Sequence, residues 1–156
     1  MNKPFRLTLG TELFWLLIAL LCAAMAAAPV YRWVAEDFLI TLAAMGFLVA
    51  PYFRAGMFFR DIPYLRFLPI QIGLFFFNIF LFVQTLKNVD NMIFLLESND
   101  VSLFFSGNHL PADELLLQFN FFKKEYLLLS VALLVLIAFC ELRVLFALFE
   151  RIRKIK

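Results

Sequence analysis

Four long stretches of hydrophobic residues, separated by more polar links, make up most of this 156-residue chain. They cover approximately residues 13–34, 38–53, 67–86 and 126–149. A membrane-spanning helix needs about 20 consecutive apolar residues. Within lipid a single segment must satisfy its own backbone hydrogen bonds, which a helix does. The pattern therefore predicts an all-α integral membrane protein with four transmembrane helices.

The link between the third and fourth stretches, residues 87–125, has a pattern of its own. Apolar residues recur at helical spacing from Val89 to Leu96, so we expect the third helix to continue to about Ser98. Pro111 suits the first position of a new helix, and no proline or glycine follows it before Lys154. The sequence predicts an extended helical hairpin here and leaves open whether the last helix is unbroken.

Composition agrees with a membrane protein. Hydrophobic residues form 64% of the chain and the mean hydropathy is +0.89, whereas soluble domains are about 45–50% apolar. The formal net charge is only +2, which gives nucleic-acid binding little support. We therefore expect the lipid bilayer and other membrane protein subunits as partners, and no nucleic acid.

Lysine and arginine are concentrated on one side of the predicted helices. The basic residues of the N-terminus, of the link between the second and third helices, and of the C-terminus are Lys3, Arg6, Arg54, Arg60, Arg66, Arg151, Arg153, Lys154 and Lys156. The other two links contain more acidic than basic residues. By the positive-inside rule, both termini are expected in the cytoplasm and the hairpin on the outer side of a bacterial inner membrane. Tyr52 and Tyr64 fit an aromatic belt at the inner interface.

Small residues recur at intervals of four in the first two helices. They are Ala19, Ala23 and Ala27 in the first helix, and Gly46 and Ala50 in the second. Small residues at this spacing form a flat stripe that lets two helix backbones approach closely. We therefore expect the first two helices to pack tightly.

Three polar residues of the third helix, Gln71, Asn78 and Thr85, are seven residues apart and so share one face. Polar side chains are costly in lipid unless they find partners. The face is therefore expected to point inward or toward another subunit. It serves either as polar packing or, alternatively, as a pathway for a solute or ion.

Glu141 and Arg143 are the charged pair that lies deep within a predicted span. Two residues apart on a helix, they point to different sides and do not face each other. Arg143 can extend toward the headgroups. Glu141 needs a partner, such as an arginine of the second link, or a proton. We consider structural or inter-subunit pairing first and ion coupling as the alternative.

The outer hairpin contains five phenylalanines that we expect to be exposed: Phe104, Phe105, Phe119, Phe121 and Phe122. So many exposed rings indicate contact with a partner protein or with the outer leaflet. We treat them as candidate partner contacts.

The residues that catalysis or cofactor binding requires are missing from the sequence. Cys22 and Cys140 both lie within predicted spans, so no disulfide framework is expected. His109 is the single histidine, which alone makes neither a metal site nor a haem site. No arrangement of nucleophile, base and electrophile is apparent. We therefore predict a protein that is not an enzyme and has no cofactor or metal site.

One segment resembles the small membrane subunit of TRAP-type transporters. The residues that carry the resemblance are Glu36 and Asp37, the Arg54-Ala-Gly56 sequence and Arg60-Asp61. That family has four spans, an acidic pair that opens the second helix, and an Arg-x-Gly turn after it. This chain departs from the family in three ways: the spacing from the acidic pair to the glycine is short, Phe58 stands where a histidine is usual, and the outer hairpin is long. The resemblance implies an accessory subunit that braces a larger transport subunit.

Together these features lead us to expect a non-catalytic accessory or scaffold subunit of a multi-subunit membrane complex. It would dock through its membrane helices and its outer apolar hairpin. The alternative is a small transporter or channel protomer. That protomer could be a TRAP-type small subunit, or a homo-oligomeric pore that uses Glu141 and the face carrying Gln71 and Asn78.

Overall fold

A computed structural model describes residues 3–97 and 112–155 of the chain. The described residues form four α-helices joined in part by short 3-10 turns: α1 Lys3–Ala27, α2 Glu36–Phe58, the turns Phe59–Asp61 and Pro63–Arg66, α3 Leu68–Glu97, and α4 Ala112–Ile155. Each α-helix is long and apolar enough to span a membrane. The prediction of an all-helical protein with four such helices is confirmed.

The first helix is displaced toward the N-terminus relative to the predicted stretch of residues 13–34, because it begins at Lys3 and ends at Ala27. Pro29 accounts for the earlier end, because proline disfavours helical geometry in the residue before it and lacks an amide proton. Turns follow, with the Val30 amide donating to the Ala27 carbonyl at 3.2 Å and the Trp33 amide to the Val30 carbonyl at 3.0 Å. Val30 is buried, so these turns pack against the core.

The second helix is longer than expected and continues through Pro51 to Phe58. Proline removes one backbone hydrogen bond but is tolerated in membrane helices that pack on neighbours. Arg54 therefore lies on a helix, not in a link, and it is buried. The Arg-x-Gly turn that the resemblance implied is not formed, because Arg54 and Gly56 both lie inside α2.

The third and fourth helices both extend past the predicted spans of residues 67–86 and 126–149. α3 runs for 30 residues to Glu97. α4 is one unbroken helix of 44 residues, which corresponds to about 66 Å at 1.5 Å per residue. The question that the sequence left open about its continuity is thereby answered.

The helices pack in the spatial order α1, α2, α4, α3. The most extensive helix contacts join α1 to α2, α2 to α4, and α4 to α3. The share of the apolar membrane-spanning segment that is buried is lower in α1 and α3, at 11% and 17%, than in α2 and α4, at 33% and 22%. α1 and α3 therefore form the edges of the array, and most of their apolar surface is open to the surroundings.

The contact between α1 and α2 is very close at Gly46. A Cβ atom added there would lie 2.8 Å from the carbonyl oxygen of Cys22 and 2.9 Å from the Cβ of Ala26. Ala19 and Ala50 are buried, while Ala23 and Ala27 are partly buried. Small side chains at these positions are therefore what allows the two backbones to meet.

Candidate functional site

Three side chains from three helices form a hydrogen-bonded chain inside the bundle. The hydroxyl of Tyr52 on α2 donates to Oδ1 of Asn78 on α3 at 2.8 Å. The Nδ2 of Asn78 donates in turn to Oε2 of Glu141 on α4 at 2.8 Å. We call Tyr52, Asn78 and Glu141 the polar cluster.

Asn78 holds the polar cluster together because an amide can accept and donate at once. Its side chain is fully buried, at 0% exposure; its hydrogen bond with Tyr52 is buried and that with Glu141 is partly buried. Because the Tyr52 hydroxyl donates to Oδ1 of Asn78, the Nδ2 group of Asn78 faces the carboxylate of Glu141. A polar group left unpaired in this interior would cost free energy, so the pairing stabilises the contact of α2, α3 and α4.

Glu141 has one paired oxygen and one unpaired oxygen. Its Oε1 is buried and accepts no hydrogen bond from the described part of the chain. Glu141 and Asn78 border a cavity of about 390 Å³ between α3 and α4, whose other walls are apolar. The described hydrogen-bond partner of Glu141 is therefore an amide on α3. The arginine of the second link that the sequence suggested is not among the described contacts of Glu141.

Arg143 points away from Glu141, as its position two residues further along predicts. Its guanidinium carbon lies 5.3 Å from the centre of the Phe139 ring. A guanidinium over an aromatic face is a favourable cation–π contact. Arg143 therefore takes no described part in the polar cluster.

The predicted polar face of α3 lies inside the protein, but its three residues differ in their hydrogen-bond partners. Gln71 and Thr85 are buried, each at 4% exposure, beside the fully buried Asn78. Gln71 donates from Nε2 to the carbonyl oxygen of Leu65 at 2.8 Å, which ties the start of α3 to the preceding turn. Only Asn78 of the three has a described hydrogen bond to Glu141.

Tyr52 was assigned from the sequence to an interfacial belt, and the structure corrects that assignment. Tyr52 is buried in the core, whereas Tyr64 is exposed. The position of Tyr52 one residue after Pro51 carries no signal for a contact 26 residues further along the chain. This member of the polar cluster could not be found from spacing alone.

A second polar contact, also absent from the sequence interpretation, joins α1 to α2. Arg54 donates from both terminal nitrogens to the two carboxylate oxygens of Glu12, each at 2.6 Å. The Arg54 side chain is 10% exposed and that of Glu12 is 33% exposed. The guanidinium carbon also lies 5.7 Å from the Trp15 ring centre. Paired hydrogen bonds of this kind fix the geometry of both partners.

Tyr64, in the turn after α2, lies beside this ion pair. Burial raises the pKa of its hydroxyl, because the phenolate form is poorly solvated there. The negative charge of Glu12 raises the pKa further. Glu12, Arg54 and Tyr64 border a cavity of about 500 Å³ that is lined by residues of all four helices.

The aromatic residues of the outer hairpin do not all lie on the surface. Phe122 is 0% exposed, and its ring packs 6.0 Å from that of Phe38 and 5.8 Å from that of Tyr126. The expectation that Phe122 contacts a partner is therefore corrected, because α2 and α4 bury its ring within the chain. Phe119 is partly buried against the same core, and Phe121 is exposed. Phe104 and Phe105 lie outside the described residues.

No group of three or more histidine, cysteine, aspartate or glutamate side chains that could hold a metal ion occurs in the described ranges. His109 lies outside those ranges. Cys22 and Cys140 are both free thiols. The polar interactions between helices in the described ranges are hydrogen bonds and an ion pair.

No protein-family model, curated protein or solved structure matches this chain.

Proposed function

We propose that this protein is a non-catalytic accessory or scaffold subunit of a larger membrane complex. In this proposal it lies in a bacterial inner membrane with both termini in the cytoplasm. Its partners are the lipid bilayer and at least one other membrane protein subunit. The observation that supports the proposal is the set of exposed apolar side chains at the end of α3 and the start of α4.

The length of α4 requires that part of it stand outside the bilayer. A bilayer with its headgroups is about 40–45 Å thick, and a 44-residue helix is about 66 Å long. A tilt of about 20° shortens its projection only to about 62 Å. About 20 Å of helix therefore remains outside on one or both sides.

The positions of the charged residues on α4 favour the outer side of the membrane for the part of the helix that exceeds the bilayer. Lys123, Lys124 and Glu125 flank the apolar segment at its start, and Glu150 and Arg151 flank it at its end. With the segment between them in the membrane, the first turns of α4 stand beyond the outer headgroups. On α3, Lys87 and Asp90 mark the corresponding boundary.

The helix ends beyond these charges carry exposed apolar side chains, which we call the outer apolar surface. Its members are Ile93, Phe94, Leu116, Leu117 and Phe121. Phe94 is 71% exposed and Leu117 is 69% exposed within the chain. A concentrated apolar surface outside the hydrocarbon layer is typical of a protein-interaction site. A partner subunit that covers it would remove this area from water.

The polar cluster favours a structural role over a conducting one. Tyr52 and Asn78 direct their hydrogen bonds to other side chains of the same chain rather than to an open path. Hydrogen bonds that join side chains of three helices rigidify the bundle at that point and specify its packing. This is what a scaffold subunit needs.

A double substitution of Leu116→Gln and Leu117→Gln tests the proposal. Affinity purification of the tagged full-length protein in mild detergent should recover a second polypeptide at fixed stoichiometry. The double variant should lose that polypeptide and keep the helical content and the thermal midpoint of the parent chain. The control is Asn120→Ser, an exposed polar position on the same turns of α4. Retention of the polypeptide by the double variant would contradict the proposed docking surface.

A small transporter or channel protomer is the second candidate, and Glu141 is the observation that favours it. Its unpaired Oε1 lies at a cavity between α3 and α4, where a cation or proton could be held. In liposomes that contain only the purified protein, this alternative predicts cation or proton flux that Glu141→Gln abolishes. The accessory-subunit proposal predicts no flux above that of empty liposomes.

A further inference from the structure

A basic cavity lies where α3 begins and α4 ends, away from the polar cluster and the outer apolar surface. Its volume is about 410 Å³, within the range of about 300–1,000 Å³ typical of ligand pockets. The polar residues that line it are Arg66, Gln71, Arg143, Glu150 and Arg151. Three arginines against one glutamate leave the lining positively charged.

Contacts within the protein orient two of the arginines. Arg151 donates a hydrogen bond to the carbonyl oxygen of Arg66, which joins the end of α4 to the turn before α3. Arg143 stacks on the ring of Phe139 one turn earlier on its own helix. Guanidinium groups held in this way are suited to phosphate, which they recognise through several planar N–H donors.

Gln71 supplies a second, independent indication of a ligand. Its side chain is 4% exposed and lines the cavity, and its Nε2 is committed to the Leu65 carbonyl. Its Oε1 is buried and accepts no hydrogen bond from any described residue. A buried acceptor of this kind needs a donor. A ligand that satisfies it must therefore carry a hydroxyl or N–H group as well as an anionic group for the arginines.

We propose that this cavity binds the headgroup of an anionic phospholipid that also carries a hydroxyl group. The phosphate lies among the three arginines, and the headgroup hydroxyl donates to Oε1 of Gln71. Phe59 and Phe146, which also line the cavity, offer an apolar surface to the upper part of the acyl chains. Basic pockets between membrane helices near the cytoplasmic surface bind anionic lipid headgroups in this manner. The inference does not depend on the proposed docking of a partner subunit.

Lipid binding to the purified full-length protein can be measured by native mass spectrometry with added lipids. Phosphatidylglycerol is anionic and carries hydroxyls, phosphatidylmethanol is anionic without a headgroup hydroxyl, and phosphatidylcholine is zwitterionic without a donor. Affinity should fall in that order. Equal binding of phosphatidylcholine and phosphatidylglycerol would overturn the proposal. Equal binding of phosphatidylmethanol and phosphatidylglycerol would overturn the role given to Gln71.

Arg143→Gln and Arg153→Gln form a matched pair of variants on α4. Arg143 lines the cavity and Arg153 does not, yet each substitution removes one positive charge. Arg143→Gln should weaken phosphatidylglycerol binding about fivefold, because one arginine near an anionic surface contributes about 1 kcal/mol. Arg153→Gln should leave it within about twofold. An equal loss in both variants would show attraction by overall charge and would overturn the site.

Inorganic phosphate and glycerol 3-phosphate separate a lipid from a soluble phosphate compound as the ligand. Neither should displace phosphatidylglycerol at millimolar concentration, because neither offers acyl chains to the apolar wall. Displacement by either one at millimolar concentration would overturn the lipid assignment in favour of a soluble phosphate ligand.

Discussion

Residue-scale contacts in this protein follow from the cost of placing polar groups among apolar helices. The seven-residue spacing of Gln71, Asn78 and Thr85 predicted a shared face, and all three are buried. Their partners could not be predicted in the same way. Tyr52 reaches Asn78 from another helix, and Arg54 reaches Glu12 across 42 positions in the sequence. A periodic pattern reports which face a residue occupies, but pairing depends on how the helices are placed.

Asn78→Leu should be a strongly destabilising change because it leaves both Tyr52 and Glu141 without a described partner. An unsatisfied buried polar group costs about 1–3 kcal/mol, so we expect a loss of about 2 kcal/mol or more in the free energy of unfolding. Tyr52→Phe leaves only Oδ1 of Asn78 without its described donor, so it should cost less, about 1 kcal/mol. Reversible unfolding in mixed micelles measures both values.

Tyr31→Phe is the control for these substitutions. Tyr31 is exposed and accepts a hydrogen bond only from its exposed neighbour Arg32 among the described contacts, so its loss should change stability by less than about 0.5 kcal/mol. The account of the polar cluster fails if Asn78→Leu is no more destabilising than Tyr31→Phe.

At the scale of elements, the apolar pattern predicted that helices exist better than it predicted where they end. α1 stops at Ala27 because Pro29 follows, although hydrophobic residues continue beyond it. α2 passes Pro51 and Gly56, two residues that usually indicate an end, because neighbouring helices hold that part of it. Helix ends depend on proline geometry and on packing, and hydropathy measures neither.

Gly46→Ala and Gly73→Ala test the close approach of α1 and α2. At Gly46 the added Cβ would lie 2.8 Å from a backbone oxygen, whereas at Gly73 nothing lies within 4 Å. The first change must push the helices apart and should cost about 1–3 kcal/mol. The second should be neutral or stabilise by up to about 1 kcal/mol, since alanine favours helix.

Unfolding in mixed micelles compares these two glycine variants, and chemical crosslinking between α1 and α2 reports their separation. Equal effects of the two substitutions would show that the small-residue stripe does not set the distance between the helices.

At the scale of the whole molecule, sequence indicated four apolar helices but not their neighbours. The spatial order α1, α2, α4, α3 places the last helix in the chain beside the second. The distribution of lysine and arginine predicts that both termini lie in the cytoplasm, and this topology remains a prediction. It can be tested because it assigns the two ends of α4 to opposite sides of the membrane.

Single cysteines introduced by Asn120→Cys and Arg153→Cys test the topology. The background carries Cys22→Ala and Cys140→Ala, which remove the two natural thiols. In intact spheroplasts a membrane-impermeant maleimide should label position 120 and should label position 153 only after the membrane is opened. The reverse pattern would invert the protein and assign the basic cavity to the outer leaflet.

The native mass of the tagged protein, released from its own membranes in mild detergent, tests the accessory-subunit proposal most directly. The account predicts one copy or a fixed number of copies bound to a second, larger membrane polypeptide, and loss of that polypeptide in the variant carrying Leu116→Gln and Leu117→Gln. A homo-oligomer alone, with the same mass in the parent chain and in the variant, would contradict it.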